Sequence, residues 1–285
     1  MFDTFKNRLE IAGTLTTVTA LRISAGRSTE PIGSDLPVIK DALGRPLIPG
    51  SSFKGALRSR LESFLRAIDS NLAEDPANFT TTAKNNHVKD LKELHKDNDF
   101  NLTQALIGIT DDISRLFGTP WLASKFQVRD LTVVPDSWFG QYQERDGVAI
   151  DRDTETAANS KLYDFQVVPA ETPFTFHAVV ENAEDWELGL LMIGLHQFET
   201  EQIPLGGGRS RGLGVVRLDY KMRWVDVEGH PEFLLKYLQK MVKGDESAYE
   251  EAEDYKDEWV QKLLDHLQGR LNTTETVDTI STLEA

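Results

Sequence analysis

Hydrophobic and polar positions alternate near the start of the chain, in RLEIAGTL (8–15). This period of two predicts a β-strand with one buried face. Farther along, apolar residues recur every three or four positions between Phe53 and Ile68, which predicts an amphipathic helix. Pro49 and Gly50 mark its beginning, and the pattern predicts that Ser51 caps its amino end.

The same two periods continue over the first 228 residues. They predict strands at 125–134, 172–181 and 213–224, and a helix at 185–198. The resulting order is strand, helix, strand, strand, helix, strand. That order is typical of an α+β fold with the ferredoxin-like, or split βαβ, arrangement. We therefore expect one such domain over residues 1–228.

Two long polar stretches interrupt the domain, at 69–112 and 135–170. Insertions of this length in a compact fold are usually functional or mobile. In the second stretch, Val148 and Ile150 alternate with polar residues, which indicates a projecting hairpin. Its apolar tip would suit insertion between bases, and the plainer alternatives are a surface hairpin or a contact with a neighbouring protein.

After residue 228 the pattern changes to two amphipathic helices, in 231–244 and 246–269. Residues 231–285 carry 13 acidic and 6 basic residues, and so supply −7 of the net charge of −15. We expect residues 229–285 to form an acidic helical extension of the domain.

Composition limits the class of protein. The 285 residues, 40% of them hydrophobic, are enough for one large domain with a sizeable core. The absence of cysteine excludes disulfides and cysteine-ligated zinc. The amino terminus, MFDTFKNRLE, lacks the apolar core of a signal peptide, and no run of residues is long and apolar enough for a membrane span. The expected location is the cytoplasm, with no membrane partner.

The acidic balance argues at first against a nucleic-acid partner. However, basic residues cluster in 54–66 and in 209–223, and each cluster contains a single acidic residue. Because a local groove, and not the net charge, governs binding, the acidity weakens a nucleic-acid function without excluding it.

The first of these candidate binding segments is the glycine loop in IPLGGGRSRGLGVVRLDY (203–220). Successive glycines such as Gly207 and Gly208 let backbone amides turn toward an anion. Arg209 and Arg211, on either side of Ser210, would add charge-assisted hydrogen bonds. No Gly-Lys-Ser/Thr follows, so this is not a nucleotide P-loop. A tight connection with two solvated arginines explains the same residues equally well.

The second candidate segment is the predicted helix start in RPLIPGSSFKGALRSRL (45–61). Ser51 and Ser52 lie at an amino end, where free amides and the helix dipole favour phosphate. Lys54 and Arg58 are four residues apart and share one side of the helix. A capped helix with a solvated basic face is the alternative. In a ferredoxin-like fold the first strand–helix turn and the last strand can lie near each other, so the two segments would form one groove.

The third candidate is Asp35, in the loop STEPIGSDLPVIKD (28–41), with Glu30 and Asp41 as nearby alternatives. Beside an RNA backbone, such a carboxylate would hold a divalent cation or help a 2′-hydroxyl to attack in line. An aspartate in a Gly/Ser/Pro loop is more often a turn residue. The six histidines show no metal-ligand spacing, and we expect His177 and His196 to be structural.

Four motifs, taken in order, resemble one known family. They are IPGSSFKGALR (48–58), SRLFG (114–118), AIDRDT (149–154) and LGGGRSRGLGVV (205–216). Together they are similar to the RAMP superfamily, and more closely to the repeated backbone subunits of type III CRISPR effector complexes. The resemblance covers roughly residues 8–224.

The resemblance implies a modified RNA-recognition fold whose copies stack along a guide RNA. It implies that Asp35 is the aspartate required for metal-dependent cleavage of target RNA. It also implies a role for residues in three other segments. The implied guide-binding residues are Ser51, Ser52, Lys54, Arg58, Gly207, Gly208, Arg209, Ser210 and Arg211, and those of the inserted thumb are Ile150, Asp151 and Arg152. The acidic extension and the length of insertion 69–112 depart from the family pattern.

The expected function is therefore that of a guide-RNA-binding backbone subunit that also cleaves complementary target RNA. Its expected cofactor is Mg²⁺ or Mn²⁺, and its partners are guide RNA, target RNA, other effector subunits and further copies of itself. One alternative is a binding-only scaffold. Two less favoured alternatives are a guide-processing ribonuclease and a phosphate-ligand-binding domain.

Overall fold

The computed structural model of the chain describes residues 3–26, 34–150 and 157–283. It is a mixed α+β structure with a central antiparallel sheet. The strands are β1 (Asn7–Thr17), β2 (Leu47–Ile48), β3 (Phe126–Val128), β4 (Leu131–Thr132), β5 (Gln143–Ile150), β6 (Ala157–Val167), β7 (Pro173–Glu181), β8 (Val216–Asp226) and β9 (Glu250–Glu251). The helices are α1 (Gly50–Ile68), α2 (Thr82–Leu94), α3 (Asp99–Gly108), α4 (Asp112–Phe117), α5 (Asp185–Glu199), α6 (Pro231–Val242) and α7 (Lys256–Leu283).

The central sheet has the strand order β3-β7-β1-β8-β9. β1 lies in the middle, where Leu9 pairs with Val180 of β7 and with Trp224 of β8. The alternation in residues 8–15 is explained by this position, because Leu9 and Leu15 are fully buried on one face of the sheet. The predicted strands at the start and end of the domain are confirmed.

Helices α1 and α5 cover that face. The ring of Phe53 in α1 lies with its centroid 4.9 Å from that of Phe176 in β7 and 4.3 Å from that of Phe198 in α5. Gly194 of α5 leaves room for Leu57, since a Cβ at that glycine would lie 2.5 Å from a leucine methyl carbon. The apolar stripe of α1 is thus the core contact that its spacing predicts.

Two local predictions are wrong. The predicted strand at 125–134 is divided into β3 and β4, because the chain between them turns over the start of α1. Ser51 does not cap α1: the helix begins at Gly50, Pro49 occupies the cap position, and no side chain of the cap residue accepts a hydrogen bond. Ser51 therefore lies inside the first turn.

The first insertion, 69–112, contains α2 and α3 and ends at the start of α4. The second contains the β5–β6 hairpin, in which Gln143 pairs with Val167 and Asp146 with Asp164. The predicted hairpin is confirmed. At its base, Phe165 and Val167 form a small second core with Ala20 and Leu213.

The two predicted helices after residue 228 correspond to α6 and α7, but the second begins at Lys256 and not at 246, because residues 250–251 form β9 instead. Helix α7 packs against α5, and its residues Trp259, Leu263 and Leu267 belong to the main core. It is also held to α4, since the buried carboxylate of Asp112 lies 2.8 Å from Nε2 of His266. Within the described ranges, no helix is both long and apolar enough to cross a bilayer.

Candidate nucleic-acid interface

A row of hydrogen-bonded loop segments lies at one end of the sheet and contains most of the candidate residues. Segment 20–25 is in the middle of this row. On one side, the carbonyl of Arg22 accepts a hydrogen bond from the N–H of Gly207 at 2.8 Å. On the other side, the N–H of Ile39 donates to the carbonyl of Ile23 at 2.9 Å. The glycine loop and the segment that follows Asp35 are therefore neighbours of the same strand-like segment.

The glycine loop turns back on itself around a single 3-10 turn, Arg209–Arg211. Gly208 and Gly212 flank this turn with φ of 78° at each, a left-handed conformation that favours glycine. The side chains of Arg209, Ser210 and Arg211 are exposed. Among the described residues, the guanidinium of Arg209 donates only to the carbonyl of Gly206, at 3.0 Å, so the tip of the loop presents its cations to solvent.

Two adjacent glycines in this loop have different explanations. Gly206 has a φ of 73°, and a Cβ there would lie 2.1 Å from the carbonyl oxygen of Arg22, so the fold itself requires glycine. Gly207 has no positive φ, and no atom lies within 4 Å of the position of its Cβ. Nothing within the described part of the chain requires glycine at 207, which is consistent with the close approach of a partner.

Asp35 is exposed and lies at the base of the β5–β6 hairpin. Its backbone N–H donates to Oδ1 of Asp164 in β6 at 2.8 Å. The next residue, Leu36, is bridged to Phe165, and its carbonyl accepts from the N–H of Gln166 at 3.1 Å. The hairpin base thus positions the backbone of Asp35 and brings a second carboxylate next to it.

The structure describes only one of the two alternatives to Asp35. Glu30 lies outside the described residues. Asp41 is a turn residue: its carboxylate accepts hydrogen bonds from the backbone of Arg45 and Leu43, and also pairs with the guanidinium of Arg45 at 2.8 Å. The hydrogen bond from the Arg45 backbone, the largest of these effects, lowers the pKa of Asp41. Asp41 is therefore engaged in a local turn.

The start of α1 is closed by a carboxylate of this chain. The N–H of Gly50 donates to Oδ1 of Asp130 at 2.8 Å, and a Cβ at Gly50 would lie 2.6 Å from the carbonyl oxygen of Val128. An acidic side chain here compensates the positive end of the helix dipole. Ser51 remains exposed and Ser52 half-buried, so their hydroxyls stay candidates for contact with RNA.

Lys54 and Arg58 point toward a different part of the protein. Nζ of Lys54 donates to Oγ of Ser124 at 2.6 Å and to the carbonyl of Phe126 at 2.9 Å. Burial, with the neighbouring charge of Arg58 as a smaller cause, lowers the pKa of Lys54 to about 8. Arg58 donates to Glu62 at 2.7 Å and to the carbonyl of Gly118 at 3.0 Å. Both side chains hold α1 to the segment that leads into β3.

The predicted residues are therefore only partly brought together. The glycine loop and the Asp35 segment lie on the two sides of segment 20–25, and the start of α1 follows one segment farther, because the N–H of Leu47 donates to the carbonyl of Ile39 at 3.2 Å. Among the described residues, no hydrogen bond or ion pair joins the glycine loop directly to Ser51 or Ser52. Of the predicted thumb residues, Ile150 ends β5, and Asp151 and Arg152 lie outside the described residues.

Comparison with known families identifies the protein family to which this chain belongs. The model of the RAMP superfamily matches residues 14–217, which is most of the chain. The chain belongs to the RAMP superfamily. The match begins in β1, ends in β8, and includes the whole row of loop segments described above.

Three relatives of this RAMP protein carry the name CRISPR system Cms endoribonuclease Csm3. The one from Enterococcus italicus is 26% identical over 213 residues, which cover 74% of this chain and 89% of the relative. The one from Mycobacterium tuberculosis is 50% identical over 56 residues, and the one from Methanocaldococcus jannaschii is 45% identical over 60 residues. These two shorter matches cover 19% and 21% of this chain, and 24% of each relative.

Sequence reasoning missed three residues of the candidate site. Asp130 closes the start of α1, Asp164 lies beside the backbone of Asp35, and Arg22 lies between the glycine loop and the Asp35 segment. Asp164 stands among alternating apolar residues in KLYDFQVV (161–168), and Arg22 interrupts the apolar pattern of TALRIS (19–24). A polar residue within an alternating run was the available signal in both cases.

The donor set beside Asp35 fits a hard divalent cation. Cations such as Mg²⁺ typically bind one or two carboxylates together with water and phosphate oxygens. Asp35 and Asp164 supply two neighbouring carboxylates of that kind. In the part of the chain that the structure describes, no cluster of three or more His, Asp or Glu side chains is arranged for a metal. Any cation here would need RNA oxygens or water to complete its coordination.

Proposed function

We propose that this RAMP protein is a backbone subunit of a type III CRISPR effector complex, where it binds guide RNA and cleaves complementary target RNA. The observation that carries the proposal is the position of Asp35 and the glycine loop on opposite sides of segment 20–25. A backbone-binding loop and an exposed carboxylate would then contact the same stretch of nucleic acid. The likeness to Csm3 of Enterococcus italicus, over 89% of that relative, supports the same assignment.

A ferredoxin-like assignment of the fold also supports the proposal. Leaving aside β9, the sheet order β3-β7-β1-β8, with α1 and α5 on one face, has the topology expected of a ferredoxin-like core. In such a core the loops after β1 and before β8 emerge at the same end of the sheet. That end carries the row of loop segments.

Guide RNA is proposed to follow the glycine loop and the start of α1. Gly207 would allow close approach of the sugar–phosphate backbone, while Arg209 and Arg211 would neutralise phosphates and Ser51 would donate to them. Base pairing would supply the sequence specificity, as in other guided systems. Lys54 and Arg58 would contribute to this surface mainly through the position of α1, because most of their donors are used within the protein.

Target cleavage is proposed to use the RNA's own 2′-hydroxyl. The 2′-oxygen attacks the adjacent phosphorus, the bond from phosphorus to the 5′-oxygen of the next nucleotide breaks, and the products are a 2′,3′-cyclic phosphate and a 5′-hydroxyl. Asp35 either accepts the proton of the 2′-hydroxyl or holds a divalent cation, Mg²⁺ or Mn²⁺, that would stabilise negative charge on the phosphate.

The test uses the assembled, guide-loaded complex and a labelled complementary RNA. Asp35→Ala should abolish cleavage while target binding is preserved, and EDTA should abolish cleavage by the wild type. Asp90→Ala, an exposed carboxylate in α2, is the matched control and should cleave normally. Unchanged cleavage by Asp35→Ala would leave this chain as a binding-only scaffold. Failure of the complex to bind complementary RNA would refute the proposed function as a whole.

The two roles of Asp35 are separable in the same assay. If Asp35 holds the cation, Asp35→Asn should recover activity as the concentration of Mn²⁺ is raised, because an amide oxygen is a weaker ligand of the same geometry. If Asp35 accepts the proton, the amide cannot replace it at any metal concentration.

A further inference from the structure

Arg22 has an unusual environment for a half-buried arginine. Its guanidinium carbon lies 4.6 Å from the centroid of the Phe165 ring. Its Nε is buried and has no hydrogen-bond partner. Within the described residues, the Arg22 side chain forms no hydrogen bond or ion pair at all. A buried N–H of a cation without an acceptor is unfavourable, so the position favours an acceptor from outside the chain.

Arg60 shows what an arginine on an aromatic ring does when the protein supplies an acceptor. Its guanidinium carbon lies 4.7 Å from the centroid of the Phe64 ring, much as in Arg22. Unlike Arg22, it donates from Nε and Nη2 to Oε1 of Gln197, at 3.2 Å each. The stacking is therefore similar in the two arginines, and only Arg22 lacks an acceptor.

The backbone of Arg22 is held in place on both sides. Its carbonyl accepts from Gly207 of the glycine loop, and the preceding residue, Leu21, is paired with Val168 in two hydrogen bonds of 2.9 and 2.8 Å. The ring beneath the guanidinium, Phe165, directly follows Asp164, whose carboxylate accepts the N–H of Asp35. The guanidinium thus stacks on the residue that directly follows Asp164 in β6.

A second polar group without a partner belongs to the residue that precedes Asp35. Ser34, the residue before Asp35, is 5% exposed, and its Oγ has no hydrogen-bond partner in the described part of the chain. Two carboxylates, Asp35 and Asp164, would repel an RNA backbone by themselves. A cation next to them is what a phosphate would need in order to approach, and a guanidinium matches the two non-bridging oxygens of a phosphodiester.

We propose that Arg22 binds the non-bridging oxygens of the target-RNA phosphodiester that lies next to Asp35, and so positions that linkage for cleavage. This inference rests on the function proposed above. Arg22 is a substrate-binding residue in this scheme: its ring stacking and fixed backbone pre-orient the guanidinium, and the phosphate supplies the acceptor that the protein lacks.

The test measures binding and not only cleavage. Target RNAs are made in which one phosphate at a time is replaced by an uncharged methylphosphonate, and their affinity for the guide-loaded complex is measured. The complex is assembled with wild-type protein, with Arg22→Met, or with Arg60→Met as the matched ring-stacked control. In the wild type, neutralising the phosphate next to Asp35 should weaken binding about tenfold, the size expected for a charge-assisted hydrogen bond.

The Arg22→Met complex should bind the fully charged target about tenfold more weakly, and the methylphosphonate at that position should cause no further loss. Arg60→Met should behave like the wild type at every position. Arg22→Lys, which keeps the charge but loses the planar fork, should recover part of the affinity. If Arg22→Met retains the full position-specific loss, the proposal is overturned.

Two further controls keep the outcomes separate. If the complex with Arg22→Met does not assemble, the same measurements are made with Arg22→Lys. The proposal is refuted if that variant binds the charged target as tightly as the wild type and shows the same loss of affinity for a methylphosphonate at every position. If Asp35→Ala cleaves normally, the nuclease function fails while the binding result for Arg22 stands. If no methylphosphonate affects the wild type, Arg22 has no phosphate partner.

Discussion

The ammonium nitrogen of Lys54 lies 2.6 Å from the hydroxyl oxygen of Ser124 and 2.9 Å from the carbonyl oxygen of Phe126. A lysine that the family resemblance assigns to guide binding is thus a half-buried link between α1 and β3. The same relationship explains its altered acidity, because burial disfavours the charged form of an amine.

The free energy of unfolding should depend on pH through Lys54. The pKa of this amine is about 8 in the folded protein, against an ordinary value of 10.5 in the unfolded chain. Between these values the unfolded chain holds a proton that the folded protein has released, so wild-type stability should rise with pH. Lys54→Met removes this titration. We expect the difference between wild type and Lys54→Met in urea unfolding to move in favour of the wild type from pH 8 to 10.5. A pH-independent difference would contradict the assignment.

Gly206→Ala should be strongly destabilising. The new Cβ would lie 2.1 Å from the carbonyl oxygen of Arg22, in addition to the strain of a left-handed alanine. We expect a loss of about 3 kcal/mol or more in urea unfolding, and only about 1 kcal/mol for Gly212→Ala, which has the same type of φ but no atom within 4 Å of its Cβ. Equal losses in the two variants would show that contact with segment 20–25 is unimportant.

Gly207→Ala should separate stability from RNA binding. Its Cβ would meet no atom of the described chain, so the free energy of unfolding should change by no more than about 0.5 kcal/mol. If guide RNA passes close to this residue, the affinity of the assembled complex for guide RNA should fall nevertheless. Filter binding of labelled guide checks the second effect. Unaltered affinity would mean that Gly207 does not face the RNA.

The buried ion pair of Lys125 and Glu187 should be needed for folding. The two charged atoms are 2.5 Å apart, and Glu187 is fully buried. Burial raises the pKa of Glu187, and its Oε2 also accepts the N–H of Glu184 at the start of α5. Lys125→Met leaves a buried carboxylate without its cation, so we expect a loss of about 3–5 kcal/mol in urea unfolding.

The control for this pair is Glu199→Gln. Glu199 is on the same helix and is 34% exposed, in ion pairs with His196 and Lys256. Surface pairs of this kind contribute at most about 1 kcal/mol. A Lys125→Met variant as stable as Glu199→Gln would show that the buried carboxylate is readily neutralised.

Helix α7 should contribute to the stability of the whole domain. Leu263 is 2% exposed and belongs to the main core, and a Cβ at Gly189 of α5 would lie 2.1 Å from the carbonyl oxygen of Trp259. Leu263→Ala should lower the free energy of unfolding by about 2–5 kcal/mol, in a single transition. Leu264→Ala is the control, since this neighbouring side chain is 43% exposed and should change little. A separate early transition in Leu263→Ala would show that α7 unfolds independently.

The regular elements were predictable because their burial follows their spacing. The helix predicted at 185–198 is α5, Asp185–Glu199, and the strand predicted at 172–181 is β7, Pro173–Glu181. The break between β3 and β4 was not predictable, since it depends on Asp130 reaching Gly50, eighty residues earlier. Local pattern contains no information about such a contact.

The candidate site was predictable only in part for the same reason. The glycine loop is recognisable from its composition, whereas Asp35 is singled out only by the family resemblance. The partners of Lys54 lie 70 and 72 residues away, so the sequence shows its charge but not its burial. Arg22 shows in the sequence only as a polar residue between apolar neighbours, and its significance depends on the ring of Phe165 and on a missing acceptor.

The base of the β5–β6 hairpin shares its hydrogen bonds with the loop that carries Asp35. β6 is 11 residues long, and at about 3.3 Å per residue it extends over about 36 Å. A force applied at the far end of the hairpin, perpendicular to its strands, produces a torque at its base. That base includes the contact between Asp164 and the amide of Asp35. Bending of the hairpin and the orientation of that loop are therefore mechanically coupled.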